Sequence, residues 1–225
     1  MLQIALAASL VMMMTGCKIF EGTSGARMLA LGDSYTIGES VAEDQRWPVQ
    51  LARMLRDAGV EMQTPQIVAT TGWTTDELSA GIDKANPSGP FELVTLLIGV
   101  NNQYRGRPVD EFRTQFAALL KRAIGYANHE ASHVIVLSIP DWGVTPFAEG
   151  GDRAKIAREI DAFNTVCAEE SKKAGAVFID ITPISRKAAE DKSLVADDGL
   201  HPSGKMYRAW AEQVLPAAKR VLANR

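Results

Sequence analysis

The sequence of 225 residues has few cysteines and no block of basic side chains. Two cysteines, one of which directly follows an N-terminal apolar segment, do not make a disulfide framework. Lys and Arg are spread along the chain and the formal net charge is −3, so nucleic acid is not expected as a partner. There is no internal repeat or low-complexity segment. The chain can bury one sizeable core, and nothing in it requires a second domain.

The N-terminal segment, residues 1–16, has no charged side chain and is almost wholly apolar. Its apolar core, Ile4 to Met14, is too short to span a bilayer but suits a secretory signal peptide. The following Met14-Thr15-Gly16-Cys17 resembles a bacterial lipobox. That resemblance implies cleavage before Cys17 and a diacylated cysteine that anchors the protein to a membrane.

Residues 17–26 are short, polar and rich in glycine, as expected of a tether between a lipidated cysteine and a folded domain of residues 27–225. We therefore expect a lipid-anchored protein of the bacterial cell envelope, on the periplasmic side or at the cell surface. The alternative is a plain signal peptide with an incidental Cys17, and hence a secreted protein.

Short apolar runs alternate with longer amphipathic stretches, which is typical of βα units and a mostly parallel sheet. The five predicted strands are Met28–Leu31, Gln66–Ala69, Leu93–Ile98, Val134–Ile139 and Val177–Ile181. Between them, Thr74 to Glu77 form a capping box that predicts the start of a helix. Cys167 continues the helical spacing of Ile156, Ile160 and Phe163, so we expect it in the core.

Two familiar catalytic motifs are incomplete. His129 to His133 match HExxH, but Asn128 ends the helical pattern and His133 leads directly into a predicted strand. The two histidines therefore do not share a helix face, and zinc is not expected. At Ser34, Thr36 occupies the last glycine position of the G-x-S-x-G elbow. A serine hydrolase built on Ser34 needs a different design.

Candidate catalytic groups for a serine hydrolase of another kind follow the predicted strands and lie near the C-terminus. Open parallel sheets place ligands at the carboxyl ends of their strands. Ser34 follows the first strand, Gly72 the second and Asn101 the third; near the C-terminus His201 follows Asp198 by three residues. These positions offer a nucleophile, a backbone N–H, an amide donor, a base and a carboxylate to orient that base.

In this order, Gly32-Asp33-Ser34, Gly72, Gly99-Val100-Asn101 and Asp198-Gly199-Leu200-His201 resemble the four blocks of the SGNH (GDSL) esterase and lipase family. The resemblance implies a flavodoxin-like α/β/α sandwich of three layers with a five-stranded parallel sheet. It also implies that Ser34 is the nucleophile, His201 the base and Asp198 its partner, with Asp197 the rival that the family's DxxH spacing disfavours. The implied oxyanion donors are the N–H groups of Ser34 and Gly72 and the side chain of Asn101.

Several residues near these blocks are candidates for the substrate pocket. Tyr35, where the family often has Leu, and Trp73, Trp142 and Phe147 follow strands and could form apolar walls or simply pack the loops. Asn102 stands where the family often has Asp. Arg105 and Arg107 could meet an anion or lie in a solvated loop.

The expected activity is hydrolysis of a carboxylic ester, either a lysophospholipid or a short to medium acyl ester, through an acyl-enzyme. Removal of O-acetyl groups from cell-envelope glycans is the alternative reaction, and a lipoprotein binding module without turnover is the alternative class. No metal or other cofactor is required. The expected partners are the ester and, through Cys17, the membrane; we expect a monomer.

Overall fold

The computed structural model describes residues 25–223, so the predicted signal peptide, Cys17 and nearly all of the tether lie outside the described residues. The strands form one parallel sheet in the order β2-β1-β3-β4-β5. Their bounds are Met28–Gly32 (β1), Gln66–Ala69 (β2), Leu93–Leu97 (β3), Val134–Leu137 (β4) and Val177–Ile179 (β5). The predicted five-stranded parallel sheet is therefore confirmed.

Helices connect these strands and cover both faces of the sheet. Their bounds are Ser34–Ile37 (α1), Trp47–Asp57 (α2), Thr75–Ala85 (α3), Val100–Tyr104 (α4), Val109–Tyr126 (α5), Arg153–Ala174 (α6), Thr182–Arg186 (α7) and Gly204–Ala223 (α8). Helix α2 packs with α8, while α5 packs with both α3 and α6. Because parallel crossovers are right-handed and the strand order reverses after β2, these two groups lie on opposite faces. The result is the three-layer α/β/α sandwich.

The centre of the sheet is the most apolar part of the molecule. Every residue of β1 and β3 is buried, because helices cover both faces of these strands. The strand order changes direction between β1 and β3, which opens a crevice at their carboxyl ends. No helix within residues 25–223 is long and apolar enough to cross a membrane.

The predictions for β3, β4 and β5 extend beyond the observed carboxyl ends of these strands. Ile139 and Ile181 are fully buried, yet β4 and β5 end before them. The Ile139 N–H donates to the side-chain oxygen of Asn164 at 2.7 Å, and the Ile181 N–H donates to the Ser138 hydroxyl at 2.8 Å. Ile139 and Ile181 are apolar because they are buried, and this extended the apolar pattern beyond the strands. Their backbone N–H groups bond to side chains and not to a neighbouring strand.

Other local predictions are confirmed. Thr74 and Glu77 make both hydrogen bonds of the capping box at the start of α3. Cys167 is fully buried in α6, and burial raises the pKa of its thiol well above the usual range. His129 and His133 lie in the turn between α5 and β4, where His129 has a positive φ of 64°.

Candidate active site

Ser34 is held at the end of β1 by its neighbour Asp33. The Asp33 side chain caps the short helix α1 and accepts the Tyr35 N–H at 3.0 Å. Ser34 is the first residue of that helix, is 5% exposed and lines a cavity at the carboxyl edge of the sheet. A backbone N–H in a first helical turn has no partner within the helix, which suits the Ser34 N–H to bind an anion.

His201 and Asp198 form a tight pair. His201 Nδ1 lies 2.6 Å from Asp198 Oδ2, and Asp198 Oδ1 accepts the backbone N–H groups of Leu200 and His201 at 2.9 Å each. Partial burial acts to raise the pKa of Asp198, but hydrogen bonds from Ser40, His201 and the two N–H groups outweigh it and hold the pKa well below its usual range. Asp198 is therefore ionised at neutral pH, and it is this aspartate that contacts the imidazole.

Gly72 lies in the turn that follows β2, with a φ of +87° that favours glycine. Its carbonyl accepts a hydrogen bond from Arg105 Nη2 at 2.7 Å, and Arg105 Nη1 pairs with Glu77 at 3.1 Å. The guanidinium therefore links the Gly72 turn to α3. Arg107 pairs instead with Asp76 at 2.6 Å. Within the described residues, both arginines suggested as anion contacts are engaged in ion pairs.

Asn101 lies in α4, directly beyond β3. The preceding Gly99 has a φ of +129°, and a Cβ there would come within 2.7 Å of Phe112 and Ile139. This glycine lets α4 turn tightly over the core. The Asn101 amide donates to the Trp73 carbonyl at 2.9 Å. Since an amide has two N–H groups, one remains for a ligand.

These elements meet at one half-open cavity of about 160 Å³. Its polar lining includes Ser34, Gly72, Asn101 and His201, together with Thr71. The rest of the lining is apolar and consists of Tyr35, Val100, Tyr104, Trp142, Phe147 and Leu200. The structure thus brings the candidate nucleophile, base and oxyanion donors to a single apolar site.

Three aromatic rings form one wall of this cavity. Tyr104 lies 5.5 Å from Trp142 and 6.2 Å from Phe147, measured between ring centroids, and the last two are 5.9 Å apart. Tyr104 and Phe147 are 57% and 49% exposed, which leaves apolar surface at the cavity mouth. Tyr35 also lines the cavity, but it is only 4% exposed and packs between His201 and Trp210.

Two pocket candidates require correction. Trp73 is not among the residues that line the cavity; its ring packs against Gly81 of α3, where a Cβ would overlap it. Asn102 is fully buried and binds Thr75 through both ends of its amide, at 3.1 Å and 2.7 Å. Asn102 therefore fastens α4 to the start of α3, and its side chain is structural.

Sequence reasoning missed two residues, Tyr104 and Ser40. Tyr104 follows Asn101 by three positions, and residues so spaced share a helix face. That spacing could have indicated Tyr104 once α4 was expected. Ser40 donates its hydroxyl to Asp198 Oδ2 at 2.6 Å across 158 positions of sequence. No local pattern signals a contact of that range.

A serine, a histidine–aspartate pair and candidate oxyanion donors thus meet at the carboxyl edge of a parallel sheet, an arrangement that meets the geometric criteria for a hydrolase site. The chain belongs to the GDSL-like Lipase/Acylhydrolase family, whose model matches residues 30–209. The match contains Ser34, Gly72, Asn101, Asp198 and His201. No curated protein matches the chain.

Solved structures share the fold at low sequence identity. The crystal structure of TesA is similar with a TM-score of 0.68 and 20% identity, covering 87% of this chain and 99% of that one. A lipase/acylhydrolase from Enterococcus faecalis has a TM-score of 0.65 and 18% identity, with 88% and 96% covered. Axe2, an acetylxylan esterase from Geobacillus stearothermophilus, has a TM-score of 0.62 and 17% sequence identity. The match covers 88% of this chain and 94% of Axe2.

Proposed function

We propose that this protein hydrolyses carboxylic esters through an acyl-enzyme formed on Ser34. The observation that carries the proposal is the meeting of Ser34, Gly72, Asn101 and His201 in one apolar cavity, with His201 held by Asp198. A binding module has no need for a histidine whose Nδ1 is fixed by an ionised carboxylate and that lines the same cavity as a serine.

The proposed reaction starts with transfer of the Ser34 proton to His201. Because Nδ1 faces Asp198, Nε2 is the nitrogen that accepts this proton. Ser34 Oγ attacks the ester carbonyl, and the N–H groups of Ser34 and Gly72 and the Asn101 amide stabilise the oxyanion. His201 then protonates the leaving alcohol, and a water activated by the same ring releases the acid.

The cavity supports a short acyl group. An apolar cavity of about 150 Å³ holds a benzene molecule, so the 160 Å³ present here suits about six carbon atoms. Tyr35, Val100 and Trp142 contribute apolar surface to it. A longer acyl chain, such as that of a lysophospholipid, would extend past Tyr104 and Phe147 at the mouth.

A panel of p-nitrophenyl esters from acetate to laurate, run beside a lysophospholipid, tests this proposal. We expect kcat/KM to be highest between about four and six acyl carbons, and to fall for longer chains as they leave the cavity. Ser34→Ala should remove the activity. Hydrolysis that persists in Ser34→Ala would contradict the proposal.

Deacetylation of a cell-envelope glycan is the second candidate, because an acetyl group fits so small a cavity and the open side leaves room for a sugar chain. An acetylated glycan in the same panel separates the two reactions. Preference for the glycan over every simple ester would favour deacetylation. Failure on all esters would favour a binding module.

Lipid anchoring at Cys17 is a separate proposal, since it depends on residues outside the structure. The supporting observation is the sequence Met14 to Cys17 after an uncharged apolar segment. Metabolic labelling with a fatty acid should mark the wild type and not Cys17→Ala. Equal labelling of both would instead favour a secreted protein.

A further inference from the structure

The Asp198 carboxylate accepts four hydrogen bonds, and one of them comes from a residue distant in the sequence. Three come from Leu200 and His201, within three residues of Asp198. The fourth comes from the Ser40 hydroxyl, which lies 2.6 Å from Oδ2 and 158 positions earlier in the chain. Ser40 and the His201 ring therefore share the same carboxylate oxygen.

Ser40 belongs to the segment that presents Ser34. Helix α1 ends in a left-handed turn at Gly38, and the N–H groups of Gly38 and Glu39 both donate to the Ser34 carbonyl at 3.0 Å. Ser40 is the next residue, so its hydroxyl connects the segment that carries Ser34 to the loop that carries Asp198. The Ser40–Asp198 hydrogen bond therefore connects the N-terminal and C-terminal segments that contribute to the site.

The backbone of Ser40 adds a second observation. Its φ of 63° lies in the left-handed region, which is unfavourable for a residue with a Cβ. Glycine would be better suited to this conformation and could not make the hydrogen bond. Unfavourable backbone is kept where the surrounding structure holds it, often at functional sites.

We propose that Ser40 is a positioning residue for the ester hydrolysis put forward above: its hydroxyl fixes the Asp198 carboxylate against the His201 ring. With two donors on Oδ2 and two on Oδ1, the carboxylate cannot rotate without breaking hydrogen bonds. The imidazole is thereby kept in the tautomer and orientation that leave Nε2 for Ser34. This inference rests on the proposed function.

Two variants separate the hydroxyl from the backbone. Ser40→Ala and Ser40→Gly both remove the donor, but only Gly suits the left-handed conformation. We expect both to lower kcat for p-nitrophenyl acetate about tenfold with little change in KM, since a charged acceptor loses one donor. The acid limb of the kcat/KM profile should move to higher pH in both, because a carboxylate with one donor fewer holds an imidazolium more tightly.

Ser193→Ala is the matched control. Its hydroxyl also donates to an aspartate, Asp191, at 2.5 Å in an exposed loop, but it lies outside the cavity. This variant should keep the kcat and pH profile of the wild type. If Ser40→Gly keeps the wild-type kcat and pH profile, the proposal is wrong. Impairment of Ser40→Ala alone would then show that the backbone conformation, and not the hydroxyl, matters.

A readout on the resting protein separates this inference from the proposed function. The ¹H NMR signal of the His201 Nδ1 proton reports its hydrogen bond to Asp198, and it should move downfield in both Ser40 variants as Oδ2 becomes a stronger acceptor. If the wild type hydrolyses no ester but this shift occurs, ester hydrolysis is refuted and the positioning contact stands. An unchanged signal in Ser40→Gly overturns the positioning proposal whatever the activity.

Discussion

At the scale of single residues, the amide of Asn101 makes one structural contact and is also a proposed oxyanion donor. It donates to the Trp73 carbonyl at 2.9 Å and lines the cavity beside Ser34. Replacing it by Ala removes one of the proposed oxyanion donors, so we predict that Asn101→Ala lowers kcat on the order of 10²-fold. Steady-state hydrolysis of p-nitrophenyl acetate measures this effect.

Asn102→Ala provides the comparison for Asn101, because the neighbouring amide binds Thr75 and lies outside the cavity. It should lower the melting temperature more than it lowers kcat, since it leaves the buried N–H of Thr75 without its acceptor and removes one hydrogen bond of the Thr75 hydroxyl. An Asn101→Ala enzyme as fast as the wild type would show that this amide is no oxyanion donor.

Asp33 should make folding stability depend on pH. Burial raises its pKa to about 7, although the Tyr35 N–H acts in the opposite direction. An unfolded Asp titrates near pH 3.9, so between roughly pH 4 and 7 the folded state retains a proton that the unfolded state has lost. The stabilisation due to Asp33 is thus full below that window and is lost as the pH rises through it.

Asp33→Asn tests this dependence, because the amide keeps an oxygen for the Tyr35 N–H and cannot ionise. We predict that the melting temperature of the wild type, measured relative to Asp33→Asn, decreases between about pH 4.5 and 8. A difference that stays constant over this range would show that Asp33 titrates alike in both states.

At the scale of elements, the turn after β2 depends on α3 and α4 for its position. Arg105, at the end of α4, binds the Gly72 carbonyl and Glu77 of α3. We predict that Arg105→Gln lowers kcat severalfold by loosening the Gly72 N–H. The melting temperature should change little, because exposed ion pairs contribute only about 0 to 1 kcal/mol. Kinetics and thermal unfolding together check this.

Arg107→Gln is the control for that variant. Arg107 also bridges two carboxylates, Asp76 and Glu111, but the structure gives it no bond to Gly72. It should leave kcat unchanged. Equal losses in both variants would mean that surface charge, and not the Gly72 contact, controls the rate.

Sequence patterns predicted the elements better than the side-chain contacts. The capping box at Thr74 and the five strands depend on local hydrogen bonds and burial, which leave a pattern in nearby residues. The direction of the Trp73 ring depends on the space above Gly81. The hydrogen bond from Ser40 to Asp198 depends on a left-handed backbone at Ser40 and joins residues 158 positions apart in the sequence. Such contacts arise only when distant segments meet, so no local pattern contains them.

At the scale of the whole molecule, the site depends on the core beneath it. Phe112 is fully buried, lies 4.6 Å from Phe163 between ring centroids and packs under Gly99. We predict that Phe112→Ala lowers the free energy of unfolding by about 3–5 kcal/mol. Urea denaturation measures this. A loss below about 1 kcal/mol would mean that the core adjusts readily around the missing ring.

The reversal of strand order between β1 and β3 explains why residues so distant in sequence form one site. It places Ser34 and Asn101 on either side of the crevice, with Gly72 beyond β1. Part of this could be predicted, because every parallel strand ends at the same edge. The contacts of Tyr104 with Trp142 and Phe147, and of the Trp73 ring with Gly81, depend instead on how side chains pack in the folded chain.

The central claim is that Ser34 is the nucleophile, and its reaction with a fluorophosphonate tests this most directly. We predict that one phosphonyl group is added per chain, that peptide mapping by mass spectrometry places it on Ser34, and that esterase activity is lost in proportion. Ser34→Ala should not react. A label on another residue, or full activity after complete labelling, would contradict the account.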